Sequence, residues 1–283
     1  MRLVTIVVLG AGDIAAATSR QLAAARLATR VIMVDEAASV AQGKALDITQ
    51  AAPVDRYDTV LVGTSDEAAV VGASVVVLAD RAGPAGEWSE EAGLALVRRV
   101  AGLNEQAALV CAGVRQRSLV DRAVHELGLP RTRIFGTAPE ALRGAIAALV
   151  ALEAEVAPGD ISILVVGRAP HDIIISWDSV SLNGRRAIDV LPPPVITRMD
   201  ARAAQLWPPG PHALGSAAAR VIRSMLTRAA RTHVLEVALT RDEAAGGHPA
   251  MLPARVGPRG ILRLESAPLS ARDRVRLDST LAR

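Results

Sequence analysis

The chain has 283 residues, of which 51% are hydrophobic, 22% charged and only 2% aromatic, and its net charge is +3. This length can bury a large core, which Val, Leu, Ile and Ala must fill because aromatic side chains are scarce. No apolar run reaches the roughly 18 residues that a membrane-spanning helix needs. The single cysteine, Cys111, excludes an internal disulfide and makes a cysteine-based metal site implausible. We therefore expect a cytoplasmic protein without a signal peptide.

The positive charge does not point to nucleic acid. Lys44 is the only lysine, and the arginines are spread along the chain among acidic residues. Few aromatic side chains are available to stack on bases. The histidines at 125, 212, 233 and 248 have no spacing typical of metal ligands. We expect no nucleic acid, membrane or metal among the partners of this protein.

The first half alternates between apolar runs and helical patterns. Strands are predicted at 3–9, 31–35, 59–62, 74–79, 107–111 and 134–136, and helices at 13–28, 39–51, 89–102 and 116–127. Strands that alternate with helices form βαβ units, and hence a parallel sheet with helices on both faces. A long alanine-rich helix at about 140–156 then leaves this part of the chain. We place a domain boundary near residue 138.

The second half has a different pattern. Strands are predicted at 161–166, 173–177, 234–240, 250–256 and 260–265, and helices at 213–230 and from Leu269 onward with Ser270 as N-cap. Proline-rich segments at 191–194 and 207–211 predict rigid connections through which a helix cannot continue. The predicted fold class is α/β. A Rossmann-type doubly wound parallel sheet, residues 1–138, is followed by a smaller α+β domain, residues 139–283.

A glycine turn lies between the first predicted strand and the first helix. Gly10 allows a tight turn, Gly12 lets the backbone approach a phosphate, and Ala15 is small enough for helix–strand packing. The N–H groups that open the helix would face the phosphates. The order of strand, glycine turn, helix and strand therefore predicts a dinucleotide site. The predicted cofactor-binding residues are Gly10, Ala11, Gly12, Asp13, Ile14 and Asp35.

Asp35 decides between two dinucleotides. It follows the second predicted strand, 20 residues beyond Ala15, where a carboxylate can accept a hydrogen bond from a ribose 2′-OH. A 2′-phosphate would be repelled by that charge, so the sequence predicts NAD rather than NADP. The alternative is an α/β domain that keeps the glycine turn for packing alone.

Several segments resemble the malate/lactate dehydrogenase family. The resemblance is strong over residues 1–80 and weaker but ordered beyond them, and its segments are 10–15, 42–47, 63–66, 133–136 and 258–273. It implies two domains, NAD across the carboxyl ends of the strands, and reversible oxidation of small 2-hydroxy carboxylates to 2-oxo acids. It also implies a homodimer or homotetramer, with the helix at 42–50 in the interface.

The groups that this family's chemistry uses are incomplete here. Ser89 stands where the family's loop arginine polarises the substrate carbonyl, and Ala112-Gly113 stand where the resemblance implies an asparagine. A histidine suits the proton transfer. His171 beside Asp172 is the candidate, although the glycine that separates such a pair in the family is missing.

The arginine that would clamp the substrate carboxylate depends on the alignment. An ungapped count from Gly136 places Leu142 and Ala145 at the family's Asp and Arg positions, whereas a two-residue slip offers Glu140 and Arg143. His171 and Arg143 are therefore the candidate catalytic residues, with Arg168 as a substitute for Arg143.

Two functions follow from this incomplete set. The first is an NAD(H)-binding relative with degenerate catalytic residues and little or no standard 2-hydroxy acid dehydrogenase activity. The alternative is an active NAD-dependent oxidoreductase that uses His171 on an altered 2-hydroxy or 2-oxo acid.

Overall fold

The computed structural model describes residues 4–227, 229, 231–240, 243 and 247–282. Six strands alternate with helices through the first half, and the apolar side chains of all but the third strand are buried. The elements of this half are β1 (Thr5–Leu9), α1 (Asp13–Ala24), β2 (Arg30–Val34), α2 (Ala38–Asp55), β3 (Val60–Thr64), β4 (Val75–Leu78), α3 (Glu90–Leu103), β5 (Ala108–Cys111), α4 (Arg117–His125) and β6 (Ile134–Gly136).

These six strands form a parallel sheet in the order β3-β2-β1-β4-β5-β6. The chain starts at β1, winds outward to β3, and returns to the other side of β1 at β4. Such a reversal opens a crevice at the carboxyl ends of β1 and β4, where ligands of doubly wound sheets bind. The predicted Rossmann-type fold class is confirmed.

The second half continues the same sheet in the antiparallel sense. Its elements are α5 (Ala138–Ala154), β7 (Ile161–Ser162), β8 (Val165–Arg168), β9 (Asp172–Ile175), β10 (Ser181–Leu182), β11 (Arg185–Arg186), α6 (Ala187–Val190), α7 (Pro193–Ala203), α8 (Pro211–Leu226), β12 (Thr232–Val237), β13 (Ala250–Gly257), β14 (Gly260–Leu264) and α9 (Ala271–Ala282). β12 pairs with β6, and β13, β8 and β9 follow, while β7, β10 and β11 form a separate small sheet.

Helix α8 holds α1 in place from the outside. A β-carbon on Gly215 of α8 would lie 2.7 Å from the carbonyl carbon of Ala17 and 2.7 Å from the backbone nitrogen of Thr18. Only glycine permits this approach of the two backbones. The second half of the chain therefore fixes the helix whose first turn is predicted to bind the cofactor.

One prediction for the second half was wrong and another was incomplete. The single strand at 161–166 is two strands, β7 and β8, because the chain leaves the small sheet and joins the large one. The segment 191–194 is not only a connection, since α7 begins at Pro193. A proline stops an arriving helix but suits the first turn of a new one, where no N–H is needed. Pro211 starts α8 in the same way.

Other boundaries agree closely with the predicted ones. Ser270 Oγ accepts a hydrogen bond from the Asp273 N–H at 3.1 Å, which confirms the predicted N-cap of the last helix. Helix α8 ends at Leu226, and residues 228 and 230 of the predicted helix lie outside the described residues, as does residue 3 of the first strand. Over the described ranges, no helix has the length and apolarity to cross a bilayer.

Candidate functional site

The glycine turn is pressed against the segment that follows β4. Gly10 has a φ of +127°, and a β-carbon there would lie 2.1 Å from the carbonyl oxygen of Asp80. Gly12 donates its N–H to that same carbonyl oxygen at 2.9 Å. The two glycines therefore let the backbone at residue 80 approach the turn directly.

The carboxylate of Asp80 occupies the first turn of α1. Its Oδ2 accepts from the Ile14 N–H at 3.2 Å and its Oδ1 from the Ala15 N–H at 2.9 Å. A β-carbon on Gly12 would lie 2.3 Å from its Cγ. The unpaired N–H groups and dipole of a helix start favour an anion, whether phosphate or carboxylate. The amides predicted to bind a pyrophosphate are thus bonded to Asp80.

Asp35 is buried, with 5% of its surface exposed, and both of its oxygens are hydrogen-bonded. Oδ2 accepts from the N–H groups of Ala11 and Ala82, each at 2.9 Å. Oδ1 accepts from the Ala37 N–H at 2.9 Å. The acid predicted to accept from a ribose hydroxyl therefore joins the glycine turn to the segment after β4.

Residues 80–88, here called the acidic loop, fold back on themselves. Asp80 and Glu87 form an isolated antiparallel bridge, and Trp88 donates its N–H to the Ala79 carbonyl at 3.2 Å. The guanidinium of Arg81 lies 4.7 Å from the centroid of the Trp88 ring, a cation–π distance. The two ends of the loop are therefore held together, with the Asp80 carboxylate at one end and the Glu87 carboxylate at the other.

Glu87 occupies the end of β5. Its Oε2 accepts from the Arg115 N–H at 2.7 Å and would lie 2.0 Å from a β-carbon on Gly113. Burial raises the pKa of the Glu87 carboxyl, and the nearby Asp80 charge raises it further, while hydrogen bonds from Arg115 and Val114 oppose the shift. A carboxylate thus stands beside the segment where the resemblance implies an asparagine.

Glu236 of β12 occupies the end of β6. Its Cβ lies 2.9 Å from the position of a β-carbon on Gly136, with which Glu236 pairs. Burial raises the pKa of the Glu236 carboxyl, and Arg117 opposes that shift by donating from Nε to Oε1 at 3.0 Å. Arg117 also donates to the Ala169 carbonyl at 2.9 Å, which ties the loop before His171 to this strand end.

Among the described contacts, none joins the two candidate catalytic residues to each other. His171 is exposed in the turn between β8 and β9. Arg143 donates to both oxygens of Glu140, at 3.0 and 2.7 Å. The third candidate, Arg168, donates to the carbonyl oxygens of Pro249 and Thr280 at 3.1 and 2.6 Å.

Glu140 instead lies in a buried polar cluster with a histidine. Glu140 Oε1 lies 3.3 Å from His233 Nδ1, and His233 Nε2 lies 2.8 Å from Ser224 Oγ. Burial would raise the pKa of Glu140, but hydrogen bonds from His233 and Arg143, with their charges, outweigh it and lower the pKa to about 2. Glu140 also accepts from the Val234 N–H at 3.1 Å. This cluster ties α5 to α8 and β12.

Sequence reasoning missed the roles of four site residues, namely Asp80, Glu87, His233 and Glu236. A usable signal existed only for Asp80, because it follows a buried strand at the point where the strand order reverses, as Asp35 does. Within the described ranges, His, Cys, Asp and Glu side chains form no group of three or more that could hold a metal ion.

Comparisons with known proteins point to one family. Residues 4–86 match the model of the lactate/malate dehydrogenase NAD-binding domain. The malate dehydrogenase of Thioalkalivibrio sulfidiphilus is 28% identical over 98% of this chain and 96% of its own length. That of Thermomicrobium roseum is 30% identical, over 56% of this chain and 54% of its own length.

Solved structures show the same fold over nearly the whole chain. The malate dehydrogenase of Salinibacter ruber superposes with a TM-score of 0.86 at 20% identity, covering 98% of this chain and 93% of that one. The minor L-lactate dehydrogenase of Enterococcus mundtii gives 0.83 at 14% identity, covering 99% of this chain and 96% of that one.

The matched domain is an NAD-binding domain, and NAD(H) is accordingly the cofactor, as the glycine turn and Asp35 predict. The amides of Ile14 and Ala15 fit its pyrophosphate once the Asp80 carboxylate has left them. The family model, the relatives and the shared fold agree: residues 4–86 match the lactate/malate dehydrogenase NAD-binding domain, and the chain as a whole is similar to malate dehydrogenases in sequence and in fold.

Proposed function

We propose that this chain is an NAD(H)-binding member of its family with little or no standard 2-hydroxy acid dehydrogenase activity. The observation that most supports low dehydrogenase activity is the set of charges at the carboxyl ends of β5 and β6. The carboxylates of Glu87 and Glu236 lie there, the Arg117 guanidinium beside them donates to Glu236, and Arg143 is paired with Glu140. A 2-oxo acid is itself an anion, which needs a cation with free donors.

The placement of His171 supports the same conclusion. A catalytic histidine needs a partner that fixes its tautomer and stabilises its cation. Among the described contacts no carboxylate holds the exposed His171 ring, while the buried His233 has both a carboxylate and a hydroxyl partner. The loss of one group that acts in the transition state costs about 3 kcal/mol, or roughly a hundredfold in rate.

One observation favours the alternative, an active NAD-dependent oxidoreductase on an altered substrate. Arg117 contacts the Ala169 carbonyl, so a cation lies beside the loop that carries His171. A substrate carboxylate could replace Glu236 as the partner of Arg117. The substrate would then lie beside the loop that carries His171, the candidate proton-transfer residue.

Turnover measurements distinguish the two functions. NADH oxidation is followed with a panel of 2-oxo acids for the wild type, His171→Ala and the control His125→Ala, whose ring is exposed on α4 beside Asp121. We expect saturable NADH binding and equally low oxidation in all three proteins. Turnover that His171→Ala abolishes and His125→Ala retains would establish the alternative.

We propose a homodimer or homotetramer in the cytoplasm as the working state. Helix α2 supports this assembly because Val40, Leu46 and Val54 are 40%, 58% and 82% exposed. A second subunit seated on α2 would remove these aliphatic side chains from water. Sedimentation of the wild type and Leu46→Glu tests the assembly, since a charge at this position should shift the protein toward a monomer.

A further inference from the structure

We infer that the acidic loop is a built-in occupant of the NAD(H) site, in which the Asp80 carboxylate takes the place of the cofactor pyrophosphate. This inference rests on the proposed NAD(H) binding and adds its regulation. In the closed state the protein satisfies its own anion-binding amides. NAD(H) then binds only to the fraction of molecules in which the loop has opened.

The competition between Asp80 and a pyrophosphate follows from the geometry. Both anions need the same donors, the N–H groups of Ile14 and Ala15, which Asp80 holds at 3.2 and 2.9 Å. The carboxylate also fills the space in front of Gly12, where its Cγ lies 2.3 Å from the position of a β-carbon. Two anions in one such space would repel each other strongly. Asp80 must therefore leave before a pyrophosphate enters.

The same movement would free the ribose acceptor. Asp35 Oδ2 accepts from Ala82 within the acidic loop, so this oxygen is engaged while the loop is closed. Opening removes the Ala82 N–H and leaves Asp35 able to accept from a hydroxyl. The pyrophosphate and ribose subsites are therefore blocked by one segment and released by one movement.

The loop is held by carboxylate–amide contacts in three places. These are Asp80 at α1, Asp35 at Ala82, and Glu87 at Arg115. Because all three involve the same segment, the closed state is a discrete arrangement and not a gradual tightening. If the loop is closed in about 99 of 100 molecules, the apparent affinity for NAD(H) falls about a hundredfold.

Calorimetric titration with NADH tests the inference. The variants are Asp80→Ala, which removes the occupant, and Asp80→Asn, which keeps its shape without charge. Asp273→Ala in α9 is the control, because it removes an equal charge from a site outside the crevice. We expect Asp80→Ala to bind NADH at least about tenfold more tightly than the wild type. Asp80→Asn should fall between them, and Asp273→Ala should match the wild type.

The outcomes separate this inference from the proposed function. Equal affinity of the wild type and both Asp80 variants would overturn the inference and leave NAD(H) binding intact. No saturable binding by any of these proteins would overturn the proposed function and the inference with it. Hydrogen exchange on the wild type gives a test that needs no variant. NADH should accelerate exchange of the Ala82 and Arg115 amides, and unchanged exchange in the bound protein would contradict the inference.

Discussion

The Asp35 carboxylate and the Ala82 N–H are joined by a 2.9 Å hydrogen bond, so the acid after β2 holds a loop that begins after β4. Asp35 accepts from two further amides, those of Ala11 and Ala37. Nearly all of its surface is buried, so each donor would lose its partner if the side chain were removed. Asp35 therefore has a structural role in the closed state besides its predicted role toward ribose.

Asp35→Ala should lower the free energy of unfolding by about 2 kcal/mol, because it leaves one buried and two partly buried N–H groups without their acceptor. Urea unfolding followed by circular dichroism measures the loss. Asp66→Ala is the matched control, since Asp66 is exposed and accepts from the Ala68 N–H alone. If both variants lose the same stability, the role assigned to Asp35 is wrong.

The ion pair of Glu140 predicts a specific loss of stability in acid. Its pKa in the folded protein is about 2, below the ordinary value of 4.5. A lowered pKa means that ionised Glu140 stabilises the fold fully above about pH 4.5, and that this contribution, about 3 kcal/mol, disappears as the pH falls toward 2. Urea midpoints measured across this range should show the decline.

Glu140→Gln should remove that decline and destabilise the protein at neutral pH by about 3 kcal/mol, since Arg143 loses its buried partner. Glu126→Gln on the exposed surface should keep the acid-dependent loss and the neutral stability. A Glu140→Gln protein with the wild-type pH profile would contradict the assigned role of this carboxylate.

Gly215 should be intolerant of a methyl group. Gly215→Ala should destabilise the fold by about 2 kcal/mol, because the new atom meets the α1 backbone and the helices must separate. Gly144→Ala in α5 is the control, as nothing lies within 4 Å of the position that its β-carbon would take, and it should stabilise by about 0.5 kcal/mol. Thermal unfolding compares the two. Equal effects would show that α8 does not pack on α1 as described.

Cys111 should be inert in the folded protein. Its side chain is fully buried, and burial raises the pKa of the thiol above its usual range. Only the thiolate reacts readily with disulfide reagents. Ellman's reagent should therefore modify Cys111 only after unfolding in guanidinium, whereas prompt modification of the native protein would be inconsistent with this burial.

The local features of the fold were predictable from the sequence. The apolar runs predicted strands β1 to β6 to within about two residues, because every run except that of the partly exposed edge strand β3 is buried on both faces of the sheet. The glycine turn and Asp35 were found because strand, turn, helix and acid follow one another along a single βαβ unit. The short strands β10 and β11 were missed, since two residues carry no periodicity.

The contacts that close the cofactor site and hold Glu140 join residues that are far apart in the sequence. Asp80 bonds to Ala15 across 65 positions of sequence, and His233 contacts Glu140 across 93. No residue pattern around Asp80 or around His233 indicates which distant residue it contacts. The sequence therefore predicts a dinucleotide site, but it does not predict that a carboxylate of the same chain occupies it.

A crystal structure with bound NADH tests the central claim most directly. We predict the pyrophosphate on the Ile14 and Ala15 amides, Asp80 displaced from them, and neither His171 nor Arg143 facing the nicotinamide C4. A structure in which His171 or Arg143 reaches C4 would contradict the claim of degenerate catalysis. A pyrophosphate bound elsewhere, with Asp80 still on these amides, would contradict the assignment of the site.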